Sequence, residues 1–193
     1  MRFVREAVAG TLPDEVFARY LVIERDFVDV ACRSLGAAIL RAPSPLALRG
    51  HFRTLTTFLA DQDRYFEDAM ADSPPDGVAG PRARAQAAAL GRRVLEVCDG
   101  GAYAEVVACM LPSECLYEAW CGEAARRPAP RSPRLEAWIA EHAGPPYTDT
   151  VAFLRGEVDG LAVDGETAGR LTAIVAEILE LERAMHDAAY LTD

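Results

Sequence analysis

Apolar positions along this chain recur with a helical period, and each apolar run stops at proline or glycine. The breaks fall at Ala42-Pro43-Ser44-Pro45, 73–81, Asp99-Gly100-Gly101, 127–133, 143–147 and 159–165. Between them the spacing predicts helices over roughly 13–41, 45–72, 81–98, 102–127, 133–142, 148–159 and 166–190. Ser44 ahead of Pro45 and Ser132 ahead of Pro133 each set a capping side chain before a first-turn proline. No stretch alternates with period two, and no hairpin dipeptide lies between β-branched runs. The pattern is that of an all-α bundle of about seven helices, one domain over 1–193.

Turning each long helix by ~100° per residue shows which residues share a face. On the last helix Leu171, Val175, Ile178, Leu179, Met185 and Ala189 surround Glu182, while Glu177, Glu180 and Asp187 fall opposite. On the first, Phe17, Tyr20, Leu21, Phe27, Val28, Ala31 and Leu35 surround Glu24. On the helix over 102–127, Tyr103, Val107, Met110, Leu111, Tyr117 and Cys121 surround Glu114. Three helices thus each carry a glutamate where the period asks for a hydrophobe. A buried carboxylate is costly unless it pairs with a cation, shifts its pKa upward or meets a ligand. Pairing with an arginine such as Arg93 is the structural alternative. The coincidence of three favours a functional pocket, with coupled carboxylates of which one at least stays protonated near neutrality. Asp61 shares a face with Thr54, Thr57, Phe58 and Tyr65, away from an expected core face of Phe52, Leu55, Leu59 and Phe66.

Composition narrows the chemistry. Twenty basic against 30 acidic residues give a net charge of −10, which argues against a nucleic-acid surface. Every basic residue is arginine, so Schiff-base chemistry and a phosphate-loop lysine are excluded. The five cysteines (Cys32, Cys98, Cys109, Cys115, Cys121) show no metal-finger spacing and read as reduced thiols. With no signal core and no long apolar run, the expectation is a soluble cytoplasmic protein without membrane partners. Of the three histidines, His51 reads as an ordinary surface or interhelix residue. Glu182 and His186 stand at i and i+4 on one face and could chelate a metal, but the Glu-x-x-His spacing of bundle di-iron sites is missing.

Three segments resemble one family. Leu12 to Glu24, with Phe17 and Tyr20, is similar to the "L…F..Y..QD" entry of the TenA / thiaminase II family. Ala104-Glu105 through Leu111-Pro112-Ser113 to Leu116-Tyr117 resembles its "AE…A.LPC..LY" helix, and Leu181-Glu182 with Ala189-Tyr190 its closing "LE…AY" helix. The resemblance implies a haem-oxygenase-like helical bundle with a central pocket. It implies an enzyme of thiamin salvage that hydrolyses an aminopyrimidine, with no cofactor. By position, Glu182 matches the family's catalytic glutamate, Glu24 its pyrimidine-binding aspartate and Tyr117 a pocket tyrosine. Ser113 stands at the cysteine nucleophile, as in the subgroup that carries a glutamate instead, which Glu114 matches. Residues 59–66 around Asp61 resemble that subgroup's "LNDEIEWF". Leu90 and His142 stand at tyrosine positions, and His186 at a tryptophan. The chain begins partway into the family's first helix, and the apolar edge this leaves suggests a homo-oligomer.

The reading assigns Glu182 to the pyrimidine ring, Glu114 to water and Glu24 to the exocyclic amine. Tyr20, Phe27 and Tyr117 would form an aromatic slot, with Asp61, Ser113, His142 and His186 as further pocket residues. The alternatives are a metal-dependent di-iron-type oxidase using Glu24, Glu114, Glu182 and His186, and a pyrimidine-binding protein without turnover.

Overall fold

A computed structural model describes residues 1–70 and 79–192, the side chains of 60–65 and 67–70 excepted. Among the described residues there are eight helices and no strand: α1 (Arg2–Ala9), α2 (Asp14–Arg41), α3 (Pro45–Met70), α4 (Pro81–Gly100), α5 (Tyr103–Ala125), α6 (Pro133–Ala143), α7 (Tyr147–Asp159) and α8 (Gly165–Ala188). Seven coincide with the helices read from the sequence. Proline opens α3, α4 and α6, where its missing amide hydrogen costs nothing. The Ser44 hydroxyl accepts from the Ala47 amide at 3.1 Å, and the Asp164 carboxylate caps α8 through the Thr167 amide at 2.8 Å. Ser132 differs: it holds the N-cap position of α6, but its side chain makes no capping bond.

The addition is α1. Its eight residues are too few for a periodicity window, yet Phe3, Ala7 and Val8 form one buried stripe. Gly10 ends the helix at φ +71°, a left-handed conformation that glycine adopts without a side-chain clash. The buried guanidinium of Arg131 then donates to the Ala7 and Val8 carbonyls at 2.8 Å each, satisfying groups that a helix end leaves open.

Helix α5 is the hub of the bundle: it packs against α1, α2, α4, α6, α7 and α8, while α8 also lies along α4. This arrangement turns the glutamate-bearing faces of α2, α5 and α8 inward.

Helix α3 is rotated from its expected setting. Phe52 is 60% exposed and Leu59 51%, whereas Thr54, Thr57 and Phe58 line the interior cavity; Phe66 is buried there as expected. The side chain of Asp61 lies outside the described residues. Leu179, expected in the α8 core, is 42% exposed. The exposed large apolar side chains include Leu40, Leu46, Leu48, Phe52 and Leu59, on α2 and α3 rather than along α1. No helix among the described residues is long and apolar enough to cross a membrane.

Candidate functional site

The stripe glutamates of three helices meet at one cavity of about 160 Å³, lined by Glu24 and Phe27 from α2, Ser113, Glu114 and Tyr117 from α5, and Glu182 from α8. That volume holds about five waters at their liquid share, or the bulk of one aromatic ring. Trp138 and His142 of α6, Tyr147 of α7 and His51 of α3 complete its wall.

Burial sets the ionisation of the cluster. Glu24 is pushed up to about 8, first by desolvation and then by the neighbouring Glu182; the hydrogen bond from Tyr117, backed by Tyr20, pulls the other way. Glu182 is raised to about 7 by desolvation, opposed by the Ser113 hydroxyl and reinforced by Glu114. Desolvation raises Glu114 as well, and the Tyr147 hydroxyl beside it pulls the other way; the hydrogen of that hydroxyl goes to the Glu114 backbone carbonyl at 3.2 Å. Glu24 and Glu114 keep some accessible surface, which faces the cavity rather than the outside. The groups titrate together, so protons belong to the set.

Arginine does not neutralise them. Among the described residues no guanidinium forms an ion pair with Glu24, Glu114 or Glu182. Arg93, the candidate partner, turns outward to Glu177 at 2.8 Å and Glu96 at 3.4 Å.

A hydrogen-bonded chain backs Glu24. The Tyr20 hydroxyl donates to that of Tyr117 at 2.8 Å, and Tyr117 donates to Glu24 Oε1 at 2.9 Å. Glu24 Oε2 is buried without a hydrogen-bond partner among the described residues. When Glu24 is neutral its proton therefore sits on Oε2, because Oε1 is accepting.

Not every expected pocket residue lines the cavity. Tyr20 is fully buried behind the wall and reaches the site through Tyr117 alone. His186 is also fully buried, stacked on Tyr20 at 5.2 Å and edge-on to Phe3 at 5.1 Å. Its Nδ1 donates to the Glu182 carbonyl at 2.9 Å, and burial lowers its pKa to about 4, so it is a neutral support. Leu90 is fully buried in the core and does not line the cavity. Phe27, Ser113, Tyr117 and His142 do line it.

Three wall residues escaped the sequence reading. Trp138 stacks on His142 at 4.2 Å and 24°, a pair at i and i+4 of α6 that the period does reveal. Tyr147 also packs on His142, at 4.6 Å, but lies at the start of α7, where no period exists yet. His51, read as a surface or interhelix residue, is 1% exposed and joins three helices. For the metal alternative, no three His, Cys, Asp or Glu side chains among the described residues converge as a cation requires.

Solved structures share this architecture. A TenA homologue from Pyrococcus furiosus superimposes with a TM-score of 0.87 at 19% identity, over 98% of this chain and 91% of that one. The fold is that of the TenA proteins. A TenA family transcription regulator from a Silicibacter species gives 0.83 at 20% identity, over 98% and 88% of the two chains. A protein of Sulfolobus solfataricus, provisionally named a TenA-like thiaminase, gives 0.78 at 16%, over 97% and 85%. No family model matches the sequence, and no curated protein matches it. The likeness to TenA is thus one of backbone, carried at low identity.

Proposed function

We propose that this chain is a TenA-type hydrolase of thiamin salvage that removes the amine from an aminomethyl-pyrimidine by carboxylate chemistry, with no thiol nucleophile. The observation that carries the reading is the set of Glu24, Glu114 and Glu182 around one cavity, two of them raised to about 8 and 7 and none paired with arginine. Near pH 7 such a set holds protonated and ionised members side by side, the condition for simultaneous acid and base catalysis.

In this reaction the C–N bond to the exocyclic aminomethyl group breaks and a C–O bond to water forms. Glu182, protonated, donates to the ring and thence to the departing nitrogen. Glu114, ionised, accepts a proton from the attacking water. Glu24 receives the ring's exocyclic amine, with Tyr117 fixing its orientation. One proton is given and one is taken, so the cluster ends with the charge it began with and ammonia leaves. Phe27 and Tyr117 sandwich the ring from the cavity wall. Ser113 lies beside Glu182 and tunes it.

The test is ammonia release from 5-(aminomethyl)-2-methylpyrimidin-4-amine. Wild-type protein is expected to release it catalytically, and Glu182→Gln to lose at least a hundredfold in kcat. Absence of both release and ring binding by the wild type overturns the reading.

A further inference from the structure

We propose that the cavity carries a second polar subsite at His51, on α3, which accepts a hydrogen bond from a donor at the end of a short tail on the ring substrate. The proposal deepens the hydrolase reading and rests on it for the identity of the ring.

The chemistry follows from where protons sit. His51 Nε2 lies 2.8 Å from the Tyr103 hydroxyl, and that hydroxyl donates its one proton to Glu157. Towards His51 the tyrosine oxygen can only accept, so Nε2 carries the hydrogen. Burial lowers the imidazole pKa, which leaves the ring neutral and Nδ1 bare. Among the described residues no hydrogen-bond partner reaches Nδ1, although His51 is 1% exposed and lines the cavity. The edge of Phe153, 5.0 Å from the imidazole, fixes the ring against α7.

His142 and His186 are held the other way. Each spends Nδ1–H on the carbonyl four residues back in its own helix, at 2.8 Å and 2.9 Å. His51 alone of the three is set by a tyrosine and a carboxylate from two other helices, α5 and α7. Such a relay holds the tautomer that presents an acceptor.

Position makes this a separate subsite. Tyr103 precedes Glu114 by eleven residues of α5, a rise of about 16 Å along the helix. A ring seated against the carboxylates reaches His51 through a tail directed towards α3 and the start of α5. Thr54 and Thr57, from the same helix as His51, also line the cavity. A bare imidazole nitrogen discriminates sharply between a hydroxyl or N–H and a methyl group, because the latter leaves it desolvated and unpaired.

The test uses two carbon-linked probes that cannot be hydrolysed: 2-methylpyrimidin-4-amine bearing at C5 a 4-hydroxybutyl chain, or its pentyl isostere. Calorimetry on the full-length wild type is expected to show at least tenfold tighter binding of the hydroxylated probe. His51→Phe, and independently Tyr103→Phe, which keeps the imidazole but frees its tautomer, are expected to bring the ratio towards one. Equal wild-type affinities, or a preference untouched by His51→Phe, overturn the subsite and leave the hydrolase reading standing. Failure of both probes to bind removes the ring pocket itself and the subsite with it. Nitrogen-15 NMR of the unliganded protein gives a readout free of any ligand: a protonated His51 Nδ1 refutes the proposal, a bare one supports it.

Discussion

Tyr117 donates to Glu24 at 2.9 Å while accepting from Tyr20 at 2.8 Å, so a residue with no surface in the cavity orients the one that does. Deleting the Tyr117 hydroxyl removes a hydrogen bond that favours ionised Glu24, whose pKa then rises beyond about 8. Affinity for the ring's exocyclic amine, a neutral N–H donor, should climb with pH as Glu24 ionises. In Tyr117→Phe that climb should come later by roughly one to two pH units, the worth of a hydrogen bond to a charged group. Tyr20→Phe should shift it in the same direction by less. Calorimetric titration between pH 6 and 9 reads both shifts.

The same carboxyl controls stability against pH. Glu24 and Glu182 are raised on folding from 4.5 to about 8 and about 7, so between these limits the folded state binds more protons than the unfolded one. Stability therefore falls as pH rises from about 4.5 to about 8, and levels off above. Glu24→Gln, which resembles the protonated acid, should raise the melting temperature at pH 8 and change it little at pH 5. A wild-type melting temperature that rises steadily across that interval contradicts the assignment.

Ser113 separates two chemistries. As a tuning residue it holds Glu182 down, so Ser113→Ala should lift Glu182 above about 7. Because donation requires the protonated acid, the alkaline limb of kcat/KM should move upward with activity kept within about tenfold, the cost of a neutral hydrogen bond. Complete loss of turnover would instead make the serine hydroxyl the nucleophile. A pH–rate profile of wild type and variant decides.

Helix α1 supports the site from behind. Phe3 packs on Tyr20 at 4.6 Å, His186 at 5.1 Å and Trp120 at 6.3 Å. Phe3→Ala should cost about 3–5 kcal/mol by urea denaturation, the range for an aromatic removed from a packed core. It should also weaken ring binding, because Tyr20 loses the surface that fixes its hydroxyl.

Period and punctuation made seven of the helices legible, together with the three glutamates, since each stands alone in a long apolar stripe. What period cannot express is the setting of a helix whose two faces are both partly apolar. Helix α3 offers Phe52, Leu59 and Phe66 on one face and Phe58 with Thr54 and Thr57 on another; the bundle exposes Phe52 and Leu59 yet buries Phe66 and turns Phe58 to the cavity, and only tertiary packing decides. For His51 the sequence leaves surface and interhelix settings open for a related reason: Tyr103 and Glu157, at the other end of its relay, lie 52 and 106 residues away in sequence, so no local pattern announces that the second holds. The tyrosine chain to Glu24 is hidden likewise, because Tyr20 shares the stripe of Glu24 yet reaches it only by way of α5. Tyr20 and His186 had the right face and the wrong depth, a distinction a helical wheel does not make.

A cluster of acids without its own cation has a measurable consequence. Whatever positive charge enters becomes the counter-ion, and its arrival must expel protons that the carboxyls held while the chamber was empty. Heats of association for an amidine or a protonated amine should then differ between phosphate and Tris in proportion to the buffers' ionisation enthalpies. The slope counts the hydrogen ions released, and a neutral isostere of the same ring should give a flat line.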